Sequence, residues 1–425
     1  MIKIKNYLLN FYRKVTESIA FYPSLISIGF FILSILAINL RSLGVTEYLL
    51  ENFPYLVLND ADTSRTILST FIGGLLSLVV FSFSMVMLLL SQASANYSPR
   101  LLPGLISEKK HQIVLGTYLG TIIYDIFVLI NISPNADAYQ LPGFAILLGI
   151  GAGIFCMGMF VYFIHSISQE IQIGSILVNV FNTAKERLIY QDSREENHGH
   201  RDFPELENNY TIKSTHSGYF QGVNEKNILQ LSEEHDTCIK ILPIKGMFIL
   251  KGIPVVCLER EVDEEVRDEI LSCLRFNKSE RVGDNYVLGF KQITEIAVKA
   301  MSPGINDPGT AISAIDYLSE LFALRMKLND EEYLSNKEDN LCVSMNIVKF
   351  KDLIYSVLAP IRQYSKHDVL VMQKVLLMLD YLRQQPVEKE AFKDVIEQNI
   401  QLVLEDVKSE IRNEVDLEVL ERMVE

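Results

Sequence analysis

A chain of 425 residues is long enough for two or three domains, and a mean hydropathy above zero with 49% apolar residues sets it apart from ordinary water-soluble proteins. Its net charge of −14 is unevenly placed: residues 1–167 carry nine Lys/Arg and eight Asp/Glu, and the rest hold 30 of the 39 basic and 45 of the 53 acidic residues. A membrane half followed by an acidic, water-facing half is predicted, and the absence of clustered Lys/Arg there excludes nucleic acid as a partner.

From the amino terminus, four segments have the length and apolarity of bilayer-spanning helices, which need about 20 residues each: 22–40, 66–90, 113–132 and 143–167. The first follows a long positive leader and has no small-x-small cleavage site before Arg41, so it is expected to be an uncleaved anchor. Lys3, Lys5, Arg13 and Lys14 precede it, and Arg100, Lys109 and Lys110 lie between the second and third spans. By contrast, Glu47, Glu51, Asp60 and Asp62 lie between the first two spans, and the loop near 131–142 has no basic residue. The positive-inside rule therefore predicts that both termini, and with them the whole acidic half, are cytoplasmic.

Within the second span Thr70, Ser77, Ser84 and Ser91 fall seven residues apart. Positions seven apart on an α-helix differ by only about 20° around the axis, so the hydroxyls form one stripe. Two uses are open: close helix packing, helped by Gly73 and Gly74 beside it, or the lining of a polar path in an oligomer. Directly after the span, Ser98, Pro99 and Arg100 form a connector at the inner surface, suited to lipid anchoring or to coupling the span to the cytoplasmic half.

The third span carries Gly116-x-x-x-Gly120 and Thr117-x-x-x-Thr121, which read as a packing seam. Asp125 is an ionisable group toward its outer end; contact with an ion and snorkelling into the outer interface are both open to it. In the fourth span Gly149, Gly151, Gly153 and Gly158 allow a flexible or closely packed helix, and His165 falls near its cytoplasmic end.

Helical periodicity over 168–188 continues the fourth span and completes a membrane domain, residues 1–190; residues 191–210 form a polar linker containing His198 and His200. Residues 211–289 predict a small α+β module with strands at 219–223, 237–242, 247–250 and 254–258, and helices capped by Asn224 and Asp263. Gly246 and Gly252 bracket its third strand. Residues 290–425 read as helical throughout, the last stretch being broken. The fold class is thus a membrane all-α domain of four transmembrane helices followed by a cytosolic α+β and helical domain.

In that half, Ser302 before Pro303 ends a helix, Gly304 is expected to take an unusual backbone turn, and Asp307 caps the next helix with Pro308 at its first position and Thr310 in its first turn. Beside this structural reading stands a ligand or partner contact, for which Asn306 and Asp307 suit a cation or a hydroxyl donor. The five cysteines form no C-x-x-C pair and read as free thiols in a reducing compartment, and His198 and His200, with no cysteine nearby, do not make a zinc set. No Gly-x-x-x-x-Gly-Lys, Gly-x-Ser-x-Gly or His-Glu-x-x-His pattern is present, so neither catalysis nor a cofactor is expected.

Three stretches resemble a bacterial family of predicted membrane proteins, domain-of-unknown-function family 2254: Ser82-Phe83-Ser84 through Ser98-Pro99-Arg100, Leu115-Gly116-Thr117 through Tyr124, and Met301-Ser302-Pro303-Gly304-Ile305-Asn306-Asp307-Pro308-Gly309-Thr310-Ala311. The charge of Asp125 departs from that pattern. The resemblance implies the topology and the bacterial inner membrane, and brings no activity with it. The function expected is therefore a homo-oligomeric, channel-like or transport-related protein whose cytosolic domain senses a ligand or the oligomer state, with the lipid bilayer and an ion or small ligand as partners; a non-conducting scaffold or sensor and a membrane-bound enzyme are the alternatives.

Overall fold

The computed structural model describes residues 18, 20–40, 45–53, 55, 58, 60–96, 109–133, 142–170, 172–195, 203, 210–277, 285–335 and 341–424. These divide into two compact units, residues 1–172 and 173–425. In the first, helices α1 (Phe21–Asn39), α3 (Ala61–Asn96), α4 (Lys109–Ile130) and α5 (Gly143–Glu170) are long and apolar enough to cross a membrane. A short helix that the loop sequence did not announce, α2 (Val45–Asn52), lies between the first two.

The four long helices are not equivalent. In α4, 56% of the most apolar window is buried against its neighbours, compared with 11% in α3, so α4 is the centre of the bundle and α3 leaves most of its surface outside it. The reason is in the sequence: α4 meets α1 through Gly116 and Gly120. A Cβ at Gly116 would lie 2.9 Å from the Cα of Pro23, and one at Gly120 would lie 2.8 Å from the ring of Phe30. The packing seam expected of these two glycines is the α1–α4 contact. At the far end of α4, Arg65 Nη2 donates to the carbonyl of Ile132 at 2.8 Å, which ties the start of α3 to the chain leaving α4.

The second unit opens with α6 (Ile173–Glu195). Helical periodicity does run on from the fourth span, but as a separate helix that extends well past residue 188 into the expected linker. His198 and His200 lie outside the described residues. A five-stranded sheet follows, in the order β1 (Tyr210–Lys213), β5 (Pro254–Leu258), β3 (Ile239–Ile241), β8 (Leu341–Asn346), β7 (Glu331–Ser335), with only the β3–β8 pair parallel. A smaller sheet joins β4 (Phe248–Ile249), β2 (Gly218–Val223) and β6 (Leu274–Asn277). Its β4 lies between Gly246 and Gly252, both left-handed at φ 88° and 90°, as the bracketing glycines suggested.

The expected caps are present. Asn224 accepts from Asn227 N at the start of α7 (Glu225–Glu234), and Asp263 from Val266 N at the start of α8 (Glu264–Cys273). Alternating apolar residues of both sheets, among them Ile212, Phe220, Ile239, Ile241, Val256 and Val343, form one core with Ile228 and Ile270 of these helices. Burial inside it pushes the Cys273 thiol up to about 11. All five cysteines are free.

The remainder is helical, but not throughout: β7 and β8 lie inside the stretch that reads as helix from residue 290 onward. They are short, and the strand that completes them, β3, precedes β8 by about a hundred residues, so no local pattern announced them. Around them stand α9 (Tyr286–Ala300), α10 (Pro308–Arg325), α11 (Phe350–Ser365), α12 (Val369–Arg383), α13 (Ala391–Glu410) and α14 (Glu414–Arg422). A file of rings, Phe290, Phe322, Phe350 and Phe392, links α9, α10, α11 and α13, with successive centroids 4.7, 6.1 and 4.7 Å apart.

Candidate functional site: a polar seam between two spans

Asp125 sits on the face of α4 that also carries Tyr118 and Thr121, at steps of three and four residues. Its side chain is 0% exposed, and neither carboxylate oxygen has a hydrogen-bond partner. The facing helix, α5, makes room with Gly149, where a Cβ would overlap Asp125 Oδ1 and come within 3.2 Å of Leu68. One helical repeat further along α5, Cys156 Sγ lies 3.3 Å from Thr121 Oγ1, both groups buried. Tyr124, beside Asp125, donates its hydroxyl to the carbonyl of Ala145 at 2.9 Å and so helps hold the same two helices together.

The seam lies between two apolar clusters. One contains Leu68, Val128, Ile132 and Ile146; the other contains Leu75, Val114, Ile122, Phe163 and Ile167. The hydroxyl of Tyr118 belongs to the second and is also without a partner. A carboxyl group left unpaired among such groups is costly, which sets Asp125 apart from the side chains around it. Sequence reading singled out Asp125, gave Gly149 only as one of four glycines that allow a flexible or closely packed helix, and gave Cys156 no place beside either. The seven-residue spacing of Gly149 and Cys156 places them on one side of α5, but only the pairing with α4 gives that spacing a meaning.

The hydroxyl stripe lies elsewhere. Thr70, Ser77, Ser84 and Ser91 are all exposed on α3, and the Cβ positions of Gly73 and Gly74 meet nothing within 4 Å. Among the described residues, nothing packs closely against the stripe. Thr70 and Ser77 donate to the carbonyls of Thr66 and Gly73, four residues back, at 2.7 and 2.9 Å. The connector residues Ser98, Pro99 and Arg100 lie outside the described residues.

In the second unit Asp307 caps α10 as expected. Thr310 N donates to Oδ1 at 3.1 Å and Thr310 Oγ1 to Oδ2 at 2.6 Å, so both carboxylate oxygens are engaged locally. The left-handed residue of this turn is Asn306, at φ 49°, and not Gly304; an asparagine tolerates that region because its short side chain can bond locally. Ser302 Oγ donates to the carbonyl of Lys299 at 2.7 Å and closes the preceding helix. Asp307→Ala is expected to cost about 1 kcal/mol, as N-cap loss does. A melt of the full chain checks this, and Asp307→Asn, which keeps an acceptor, should lose less. Among the described residues no three His, Cys, Asp or Glu side chains group as metal ligands would.

Four membrane-length helices with a buried acid between them, followed by a unit of helices and mixed sheet, define an integral membrane protein with an appended α+β domain. The chain belongs to the family described as predicted membrane protein (DUF2254), whose model matches residues 16–381. It is similar to an uncharacterised protein of Mycobacterium tuberculosis, Rv1290c, and to one of Mycobacterium bovis, Mb1321c. Each is 22% identical over 364 residues, which is 83% of this chain and 70% of the relative. No solved structure matches it.

Proposed function

We propose that this protein is a homo-oligomeric, channel-like or transport-related protein of the bacterial inner membrane, with both termini and the α+β unit in the cytoplasm. The observation that carries the reading is Asp125, an enclosed carboxylate whose two oxygens have no partner, held on the central helix of the span bundle. A scaffold has no use for an unpaired acid at that depth, whereas a protein that moves an ion or a proton does. The exposed stripe on α3 supplies the assembly face: copies meeting through Gly73, Gly74 and the four hydroxyls could approach closely around a shared polar path. The positive-inside pattern supports the orientation.

The test is ion flux into liposomes holding the purified full chain. Wild type is expected to pass a monovalent cation or protons, Asp125→Asn to lose most of that flux at unchanged expression, and Ser84→Leu to reduce it through assembly. No flux of any common ion across pH and voltage would sink the proposal. One observation favours the second reading, a non-conducting oligomeric scaffold: Thr70 and Ser77 already satisfy their hydroxyls on their own helix and need no water. Oligomers that form normally yet conduct nothing, with Asp125→Asn silent, would establish it.

A further inference from the structure

Strand β4, at the edge of the small sheet, turns large apolar side chains outward. Ile249 is buried in the core, and alternation along the strand puts Phe248 and Leu250 on the opposite face, each about half exposed. Met247 and Ile253 beside them are exposed to the same degree. Among the described residues, no other seven-residue stretch of the second unit exposes four large apolar side chains. The tip is held in place by its neighbours. Phe220 N donates to the carbonyl of Met247 at 2.9 Å, Lys251 N to Ser217 Oγ at 2.9 Å, and Ser214 N to the carbonyl of Ile253 at 2.8 Å. The Tyr219 ring stands edge-on to Phe248, with centroids 5.1 Å apart.

The charge around the tip runs against that of the chain. Residues 210–224, 239–258 and 274–277, which supply strands β1 to β6, contain Lys213, Lys240, Lys245, Lys251 and Arg275 and no Asp or Glu. The half of the chain that holds them has 30 basic against 45 acidic residues. Lys245 is spent on Glu332 at 2.9 Å, whereas Lys213, in register with Pro254, and Lys251 flank Ile253 and are exposed. A fixed apolar patch with a basic collar on an acidic unit matches an anionic surface with an apolar interior. A second copy matches it less well. Two identical tips would set like charges against each other, and β4, two residues long, has too few free backbone groups to recruit a strand. The matching surface is at hand: α5 ends at Glu170 and the unit starts with α6 at Ile173, so the spans tether every copy to a bilayer. We propose that the β4 tip docks on an anionic bilayer, with Met247, Phe248, Leu250 and Ile253 entering the headgroup layer and Lys213 and Lys251 meeting lipid phosphates. This holds on either face of the membrane and whether or not the spans conduct.

The chain has no tryptophan, so Phe248→Trp places a single fluorescent reporter on the tip. The full-length variant is reconstituted in vesicles of phosphatidylglycerol and phosphatidylcholine, plain or with bromine high on the acyl chains. Bromine is expected to quench the reporter, and quenching should fall in phosphatidylcholine alone and at about 1 M salt. In the same background, Lys213→Gln and Lys251→Gln should each lower the ratio of docked to undocked tip about fivefold. Leu250→Trp, a second exposed position on the tip, should be quenched likewise, and Tyr355→Trp, exposed on α11, gives the level without docking. Quenching at 248 and 250 no greater than at 355, or equal quenching with anionic and zwitterionic lipid, overturns the proposal. Emission at 248 that shifts with the ratio of protein to lipid, without bromine quenching, assigns the tip to a second copy and overturns it too. A melt that matches wild type shows that each variant is folded.

Discussion

Arg325→Ala should lower the stability of the second unit by about 3–5 kcal/mol, the loss typical of breaking a buried ion pair from one side. Arg325 is wholly buried, and its guanidinium joins three chain segments. Nη1 donates to the carbonyl of Leu328 at 3.0 Å, and Nη2 to Asp330 Oδ1 at 2.5 Å and to the carbonyl of Val348 at 3.1 Å. Asp330 Oδ1 in turn accepts from Phe350 N at 2.9 Å, so the same carboxylate helps begin α11. Alanine would leave the carbonyls of Leu328 and Val348 without this donor and Asp330 without its counter-charge, beneath the end of α10. Lysine restores the charge but cannot spread it over three acceptors, so Arg325→Lys should recover only part of the loss. In a unit of this size the alanine change corresponds to a fall in melting temperature on the order of 10 °C. A thiol-reactive dye reads it directly, because Cys273 is buried in the unit and is released on unfolding. A variant that melts with wild type would show the network to be energetically idle.

The second large effect separates glycines by what faces them. Gly116→Ala sets a methyl against the backbone of Pro23, which cannot move aside without shifting α1, and should cost about 1–3 kcal/mol. Gly120→Ala meets the ring of Phe30, which can swing, and should cost less. Gly151→Ala meets nothing within 4 Å and is expected to be neutral or to gain up to about 1 kcal/mol of helix propensity. Gly73→Ala would behave like Gly151→Ala in an isolated chain and like Gly116→Ala in an assembly built on α3. Melting curves and oligomer populations of these four variants, taken together, therefore distinguish packing inside one chain from packing between chains. Equal behaviour of Gly116→Ala and Gly151→Ala would contradict the α1–α4 contact.

The spans were legible because length and apolarity are local properties, and all four lie within a few residues of their expected places. The caps at Asn224, Asp263 and Asp307 were legible for the same reason: a short polar side chain before an amphipathic run has a local job. What escaped was whatever depends on a distant partner. Glu332 and Tyr333 of β7 give no strand signal until β8 lies beside them, and α4 shows Asp125 as an oddity until Gly149 of α5 opens a place for it. The hydroxyl stripe was visible as a spacing, but its outward direction was not. Periodicity defines a face and leaves open what the face meets. The turn at Asn306 shows the same limit on a smaller scale: glycine is the usual tenant of left-handed backbone, and here the asparagine two residues later takes it.

The pairing of β3 with β8 has a consequence in time. Ile239 and Ile241 lie beside Val343 and Met345, in parallel, so one flank of β3 stays open until the ribosome has added about a hundred more residues. At roughly 5–20 residues per second that is on the order of 5–20 s during which a nascent sheet of β1, β5 and β3 presents an unpaired apolar edge. The spans precede this sheet in the chain, so the exposed edge arises on a polypeptide already committed to the bilayer. Mutations that slow arrival of β8, far from any span, should therefore lower the yield of inserted protein through aggregation rather than through failed insertion.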